Sequence, residues 1–440
     1  MIYDIIIVGA GASGLFAASN IKLLHGQHGL ILNKAPRPGL KLLMSGGGQC
    51  NLTHAGDIRE YITHYGQNGK KIRSILYSFS NIDTCEWFSS RNLPLITRSD
   101  GKIFPKSMNA KDVLDLLLKT SYAKGFQILN NTAATKIHPI SSENKCIETD
   151  DTLPPGSRDI FAVTTEKTLP GRMTETYRCR NLLIACGGSS YPTTGSDGSI
   201  FSVLKDIDIS IEEPQPALVP LNTENYPYAS LSGTAVKNAC VTVYEGKQRK
   251  KNSPSIIGDI LFTHKNFSGP AILDISRYTK TGMTLEINWL PATRYENIHA
   301  ELNSIRNGCK KKTATVLHEY LKKYGISDAL TKILLDRTEI SPDLKFTDLP
   351  GNSLKKFIEL LISDCFTISG TSGYRIAMAT AGGVKLSDID LNTMESKKYK
   401  NLYFTGEVTD VDGDTGGYNL QYSFASAYRA AANINKSHIS

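Results

Sequence analysis

Three glycines near the start of the chain carry its clearest chemistry. Gly9, Gly11 and Gly14 stand as G-x-G-x-x-G, with Ala12 and Ser13 between the last two. In this spacing the first glycine permits a tight turn and the second lets the backbone approach a pyrophosphate. The third allows close packing of helix on strand. Free N–H groups at the start of the following helix, and the positive end of its dipole, then face the anion. The pattern means little alone. Here a β-branched run, residues 3–8, precedes it, a helical pattern from Leu15 to Leu24 follows, and Leu30-Ile-Leu32 reads as a second strand. That βαβ context promotes it to a dinucleotide site. An acidic residue would ordinarily close the second strand and take the ribose hydroxyls. This chain has Asn33, followed by Lys34 and Arg37. An amide can accept a ribose hydrogen bond without charge, and the two cations suit a 2′-phosphate. This segment alone leaves FAD and NADP(H) both open.

Further glycine-rich segments recur along the chain. Ser45, Gly46, Gly47, Gly48, Gln49, Cys50 and Asn51 form a second loop, whose successive N–H groups can hold an anion. Gly187-Gly188 ends one buried apolar strand and Gly406-Glu407 ends another. The latter leads through Gly416-Gly417 into a helix beginning near Tyr418, Asn419 and Leu420. This order suits an extended cofactor whose adenylate lies at the N-terminal βαβ unit. Its other end would meet the last helix, where partial positive charge stabilises a reduced flavin ring and a side chain at Gly417 would intrude toward that ring. Cys50, His264 and Tyr418 are the candidates for redox or proton chemistry. Cys50 has no resolving thiol at CxxC spacing, and His264 sits in a Phe-Thr-His turn. Asp410, Asp412 and Asp414 alternate as in a calcium loop, but the glutamate such a loop needs at its twelfth position is missing. The eight cysteines are scattered, so no metal site is expected.

The elements needed to position these residues divide by texture. With 440 residues, two or three domains are expected. The ends read as α/β. Residues 1–192 and 371–440 are assigned to two parts of one nucleotide domain. Residues 193–294 read as an inserted β-rich domain, 295–345 as a helical subdomain, and 346–370 as the return of the insert. The net charge is +8, yet its runs are short, Arg249 to Lys251 and Lys310 to Lys312. They read as solvated turns or helix faces, so a small-molecule substrate is expected and nucleic acid is not. Oligomeric state stays open. No run of about 18 apolar residues is available to span a membrane. The scattered thiols and the absence of a basic leader read as a cytoplasmic, reduced protein.

Taken in order, the motifs resemble the HI0933-like, or YhiN-like, family of FAD-dependent oxidoreductases. They are Gly9 to Leu15, Pro38 to Asn51, Leu182 to Gly188 with Tyr191-Pro192, Phe262 to His264 with Ser268 to Pro270, Thr380 to Val384, Thr393 to Lys397, and Gly406 to Gln421. The resemblance implies a Rossmann-type FAD-binding domain of the glutathione-reductase type, with an inserted β-barrel-like domain and a small helical subdomain. It implies FAD as cofactor and NAD(P)H as a transient reductant, with electrons passed to a small organic acceptor or oxygen. Lys41 and Ala134 join the residues named above as implied cofactor contacts. The family usually has Glu at Asn33, Arg or Lys at Leu40, Arg at Gln49, Gly at Asn266 and often Cys at Thr415. An amine oxidase on the same scaffold, or a non-catalytic flavin- or RNA-binding protein, are the rival readings.

Overall fold

The computed structural model describes residues 1–140, 160–167, 173–246, 248–249 and 253–437. Lys250 and Lys251 of the short basic run, and Cys146, one of the eight cysteines, lie outside them. The β-branched run forms strand β1 (Ile2–Val8), buried from Asp4 onward. Helix α1 (Ala12–Asn20) follows directly, then β2 (Gly29–Leu32) and α2 (Leu40–Met44). Strands β3 (Phe126–Leu129), β4 (Met173–Ile184) and β5 (Leu402–Phe404) complete a parallel core in the order β5-β4-β1-β2-β3. Ile5, Ile6, Ile7, Leu30, Leu182 and Leu183 have no exposed surface. This is why these strands read as continuous apolar runs rather than alternating ones: helices cover both faces of a parallel sheet. The last helix, α3 (Tyr418–Ser437), buries Phe424 beside Phe16 of α1, their rings 4.8 Å apart.

The chain divides into two units, residues 1–216 with 378–440, and residues 217–377. Residues 193–216, assigned from sequence to the insert, belong to the first unit. They carry the helix Ser199–Lys205 and most of the strand Ile211–Ala217, which pairs with Ala379–Val384. Residues 371–377 belong to the second unit.

The second unit contains an antiparallel sheet that closes on itself. Ala235–Glu245 pairs with Ile256–Phe262, then the order runs through Phe267–Ser268, Leu221–Thr223 and Asp364–Thr371 to Thr284–Asn288. That last strand also pairs with Ala235–Glu245, making a barrel. Closure leaves the ring without a free edge. The helices Tyr295–Arg306, Thr313–Lys322 and Asp328–Arg337 were expected as a separate subdomain, and Gly351–Ile362 falls in the expected return of the insert. They instead share one buried core with the barrel, where Leu302, Leu317, Leu334 and Phe357 pack with Val241, Phe262 and Ile287.

Candidate cofactor site

The three glycines of the first turn separate by what a side chain would meet. Gly9 has φ +111, and a Cβ there would lie 2.5 Å from the carbonyl oxygen of Ala185, just past β4. At Gly14 it would lie 2.0 Å from the Gly9 oxygen. Both positions are filled by the fold itself. At Gly11 a Cβ would meet nothing within 4 Å, and its φ of −87 and ψ of −169 suit any residue. The open space at the N-terminal end of α1 is therefore a cradle with room for a ligand. No side chain caps α1, so the amides of its first turn remain available to an anion. An FAD pyrophosphate fits this arrangement.

Around that cradle the strand ends converge. Ser13 Oγ donates to Thr405 Oγ1 at 2.8 Å, joining the start of α1 to the end of β5. Lys41 of α2 donates to Glu407 Oε2 at 2.6 Å and to Ser190 Oγ at 2.5 Å. Ser190 Oγ and the Thr380 amide both donate to Glu407 Oε1, at 2.7 and 3.0 Å. Gly188 must be glycine here, because a Cβ would lie 2.4 Å from Thr380 Oγ1. Lys41, Gly188 and Glu407 thus come together, as their sequence order implied, but Lys41 and Glu407 are spent on each other. Ser190 and Thr380 complete the network and were missed as site residues. Each is an ordinary hydroxyl whose partners lie far along the chain. Lys41→Met is expected to lower stability by about 1–3 kcal/mol, because it leaves a largely buried carboxylate short of a cation. Adding Glu407→Gln should recover part of that loss, read as the thermal midpoints of the single and double variants.

Asn33 is buried, and both its amide hydrogens are used: Nδ2 donates to the Ala35 carbonyl at 2.9 Å and to Asn130 Oδ1 at 2.8 Å. Its Oδ1 is the atom left to accept from a ribose hydroxyl. Lys34 is tied to Asp197 at 2.5 Å and to Ser199 at 2.9 Å, which argues against its holding a 2′-phosphate. Ala134 lies in the strand Thr132–Ile140, paired with Thr165 of Ile160–Lys167.

The second glycine loop turns through Gly46 and Gly47, both left-handed at φ 57 and 66. A Cβ at Gly47 would stand in open space. Beside it Asn51 is buried, and its Oδ1 has no hydrogen-bond partner. An orphaned acceptor next to open backbone is a second feature that a bound cofactor with N–H or O–H donors would satisfy. Cys50 is different. Its thiol is fully buried, and burial pushes it up to about 12 despite a hydrogen bond with Ser45. The thiolate needed for redox or nucleophilic work is not accessible near neutral pH, so Cys50 is a packing residue. Intact protein treated with iodoacetamide at pH 8 should leave Cys50 unlabelled by peptide mass analysis. Prompt labelling there would contradict the burial.

At the far end, Tyr418 is held in an aromatic stack. Its ring lies 4.0 Å from that of His64 and 5.5 Å from that of His54, within 15° of parallel in both cases. Tyr61 meets it edge-on, and Tyr65 OH donates to its carbonyl at 2.8 Å. His64 Nδ1 faces Asp414 Oδ2 at 2.9 Å. His54 has carbonyl oxygens at both ring nitrogens, Ala55 at 2.7 Å and Asp100 at 3.0 Å. With Tyr418 only 5% exposed, this is a wedge that fixes the start of α3 rather than a free acid. Gly417 has φ +99, and a Cβ there would lie 2.8 Å from the Thr53 backbone. It faces packed protein, which corrects the expectation that its missing side chain opens onto a flavin ring. Asn419 clamps the loop by accepting from the Gly413 amide and donating to its carbonyl, both at 2.8 Å. Leu420 is half-buried and Gly416 has φ +118. Asp410 accepts from Asn68 at 3.1 Å. His264 lies on an exposed turn of the second unit. No helix among the described residues is long and apolar enough to cross a membrane.

Comparison with known proteins follows the same lines. Ribosomal RNA dihydrouridine synthases of Haemophilus influenzae and Escherichia coli are 29% and 30% identical to this chain, each over 98% of it and 98% of their own length. A 3-dehydro-bile acid delta(4,6)-reductase of Clostridium scindens is 28% identical over 97% of this chain and 98% of its own. The model of the HI0933-like protein Rossmann domain matches residues 3–433. With that match and a cradle of the required shape, the chain belongs to the HI0933-like family of FAD-dependent oxidoreductases.

Proposed function

We propose that this protein is an FAD-dependent reductase of a carbon–carbon double bond conjugated to a carbonyl, and that its substrate is uridine in ribosomal RNA. The observation that carries the cofactor is the open backbone at Gly11, flanked by two glycines whose space is filled. The substrate class comes from the relatives. Dihydrouridine synthesis saturates the C5=C6 bond of uracil, conjugated to its C4 carbonyl. A 3-oxo-4,6-diene steroid carries the same polarised alkene, so the three relatives share one chemistry. When bound and reduced, FAD supplies the hydride to the β-carbon, while a proton adds at the α-carbon.

The chain's own part is binding and shape. The first turn of α1 offers its amides to the pyrophosphate, and Asn33 Oδ1 accepts from a ribose hydroxyl. Asn51 Oδ1 offers a further acceptor beside the second loop. The Lys41–Glu407–Ser190–Thr380 network locks the ends of β4 and β5, and the stack around Tyr418 fixes the start of α3, where a cofactor on a glutathione-reductase-type course would end. With one G-x-G-x-x-G in the chain, NAD(P)H has no second dinucleotide domain and would visit transiently. RNA replaces the small-molecule substrate expected from the dispersed charge, because the two ribosomal RNA enzymes match end to end and the net charge of +8 suits a polyanion.

The test is anaerobic. Holoenzyme is reduced with NADPH or NADH, then mixed either with ribosomal RNA lacking dihydrouridine or with a 3-oxo-4,6-diene steroid. The expected result is return of the oxidised flavin spectrum with RNA, and uridines heavier by two hydrogens on mass analysis. Reoxidation by the steroid alone would assign the bile-acid-type reaction instead. Release of only NADP from denatured protein would overturn the cofactor.

A further inference from the structure

The positive charge of the chain is not evenly divided. Residues 217–377 hold twenty-one Lys and Arg against fifteen Asp and Glu, so this unit carries +6 of the net +8. Within it, three exposed cations lie on segments that pair with, or are tied to, the turn after the strand Ile256–Phe262. The hydrogen-bond register places Ala235 opposite Leu261, and Leu261 opposite Ser268. The chain then turns at Thr263–Asn266, with His264 and Lys265 exposed. Asn266 is buried in that turn, and its amide donates to Asn222 Oδ1 at 3.1 Å and to Ser372 Oγ at 3.0 Å. One side chain thereby ties three segments together, and the turn that follows Ser372 carries exposed Arg375 and Ile376. On the adjoining strand Lys237 sits at a bulge between Val236 and Ala239.

Lys237, Lys265 and Arg375 are exposed, and none makes an ion pair among the described residues. This sets them apart from Lys311 and Lys312, which are paired with Glu319 and Asp343. The acid on this face is Asp259, whose Oδ1 accepts from the Asn238 amide at 3.2 Å. Leu261 and Ile257, on the same outward side of their strand, are 36% and 63% exposed, and Ile376 is 50% exposed. Uncompensated cations around bare apolar side chains match a single-stranded or looped RNA: the cations neutralise phosphates, and the apolar groups take base faces and ribose edges.

We propose that these segments, carrying Lys237, Lys265 and Arg375 and pinned by Asn266, form the surface on which the RNA substrate docks. The inference rests on the RNA reading above and adds to it a location. Binding of purified ribosomal RNA to holoenzyme is measured over a potassium chloride series, for the wild type and for the triple variant Lys237→Glu, Lys265→Glu, Arg375→Glu. The variant is expected to bind at least ~30-fold more weakly at physiological salt. Its plot of log affinity against log salt should be shallower by roughly two to three, as three phosphate contacts are lost. Flavin content and anaerobic reduction by NADPH should be unchanged, which shows that the variant is folded. If the variant binds RNA with the wild-type affinity and slope, the surface is overturned while the RNA reading stands. If the wild type itself fails to bind RNA, the RNA reading falls, and the surface's assignment with it.

Discussion

Gly11→Val is expected to give a folded protein that holds no flavin. The backbone at Gly11 is extended, with φ −87 and ψ −169, so valine brings no strain. Its Cβ would point into space where no protein atom lies within 4 Å. The native packing is left alone and only the cradle is filled. A side chain there removes charge-assisted hydrogen bonds from the start of α1, each worth roughly 1.5–3 kcal/mol. Since each 1.4 kcal/mol is tenfold in affinity, FAD binding should weaken by about two to three orders of magnitude. The check has two parts: flavin absorbance of the purified variant, expected near zero, and the thermal midpoint compared with that of wild-type apoprotein, expected to match. Full flavin occupancy would remove the cradle from the account. Loss of fold would show that Gly11 serves packing, as Gly9 and Gly14 do.

Gly417→Val should do the reverse. The residue has φ +99, a region closed to β-branched side chains, and a Cβ there lands 2.8 Å from the Cα, carbonyl carbon and oxygen of Thr53. Thr53 is itself fully buried in the short strand Thr53–His54, so neither side can yield cheaply. Strained backbone and a main-chain clash together cost at least about 3 kcal/mol. The start of α3 should detach, and with it the stack of His64 and His54 on Tyr418. The expected readout is a collapse in soluble yield, or a thermal midpoint lowered well below that of Gly11→Val, with flavin lost as a consequence. A soluble variant with the wild-type midpoint and an altered flavin spectrum would instead place Gly417 at the ring.

These two glycines also show what the sequence could and could not reveal. Gly11 was legible because G-x-G-x-x-G after an apolar strand fixes which glycine faces outward. The parallel strands were legible for the same reason, since a strand covered on both sides must be apolar throughout. Gly417 was misread because a glycine before a helix has the same appearance whether its missing side chain faces ligand or protein. Only the position of Thr53 decides, and it comes from a strand some 360 residues earlier. The Lys41–Glu407 pair joins residues 366 apart. Ser190 and Thr380 have no local pattern that marks them. The end of the first unit's first part was misplaced because the strand Ile211–Ala217 carries two prolines and two glutamates, so it reads as loop. The barrel was implied by the family resemblance, but not which strands close it, because the pairing of Thr284–Asn288 with both Ala235–Glu245 and Asp364–Thr371 follows from topology, not composition.

The division of the chain also sets a timetable for its synthesis. Residues 217–377 are continuous and can fold once they have left the ribosome, whereas the unit that holds the cofactor is split on either side of them. Strand β5 and the start of α3 are made last, yet β5 pairs with β4 and Ser13 needs Thr405. At ~5–20 residues per second, the Gly11 cradle therefore waits tens of seconds for its walls, with the apolar strands β1, β2 and β4 lacking their last neighbours. Chains truncated before residue 402 should carry a finished barrel but no flavin, with strand edges left open to aggregation.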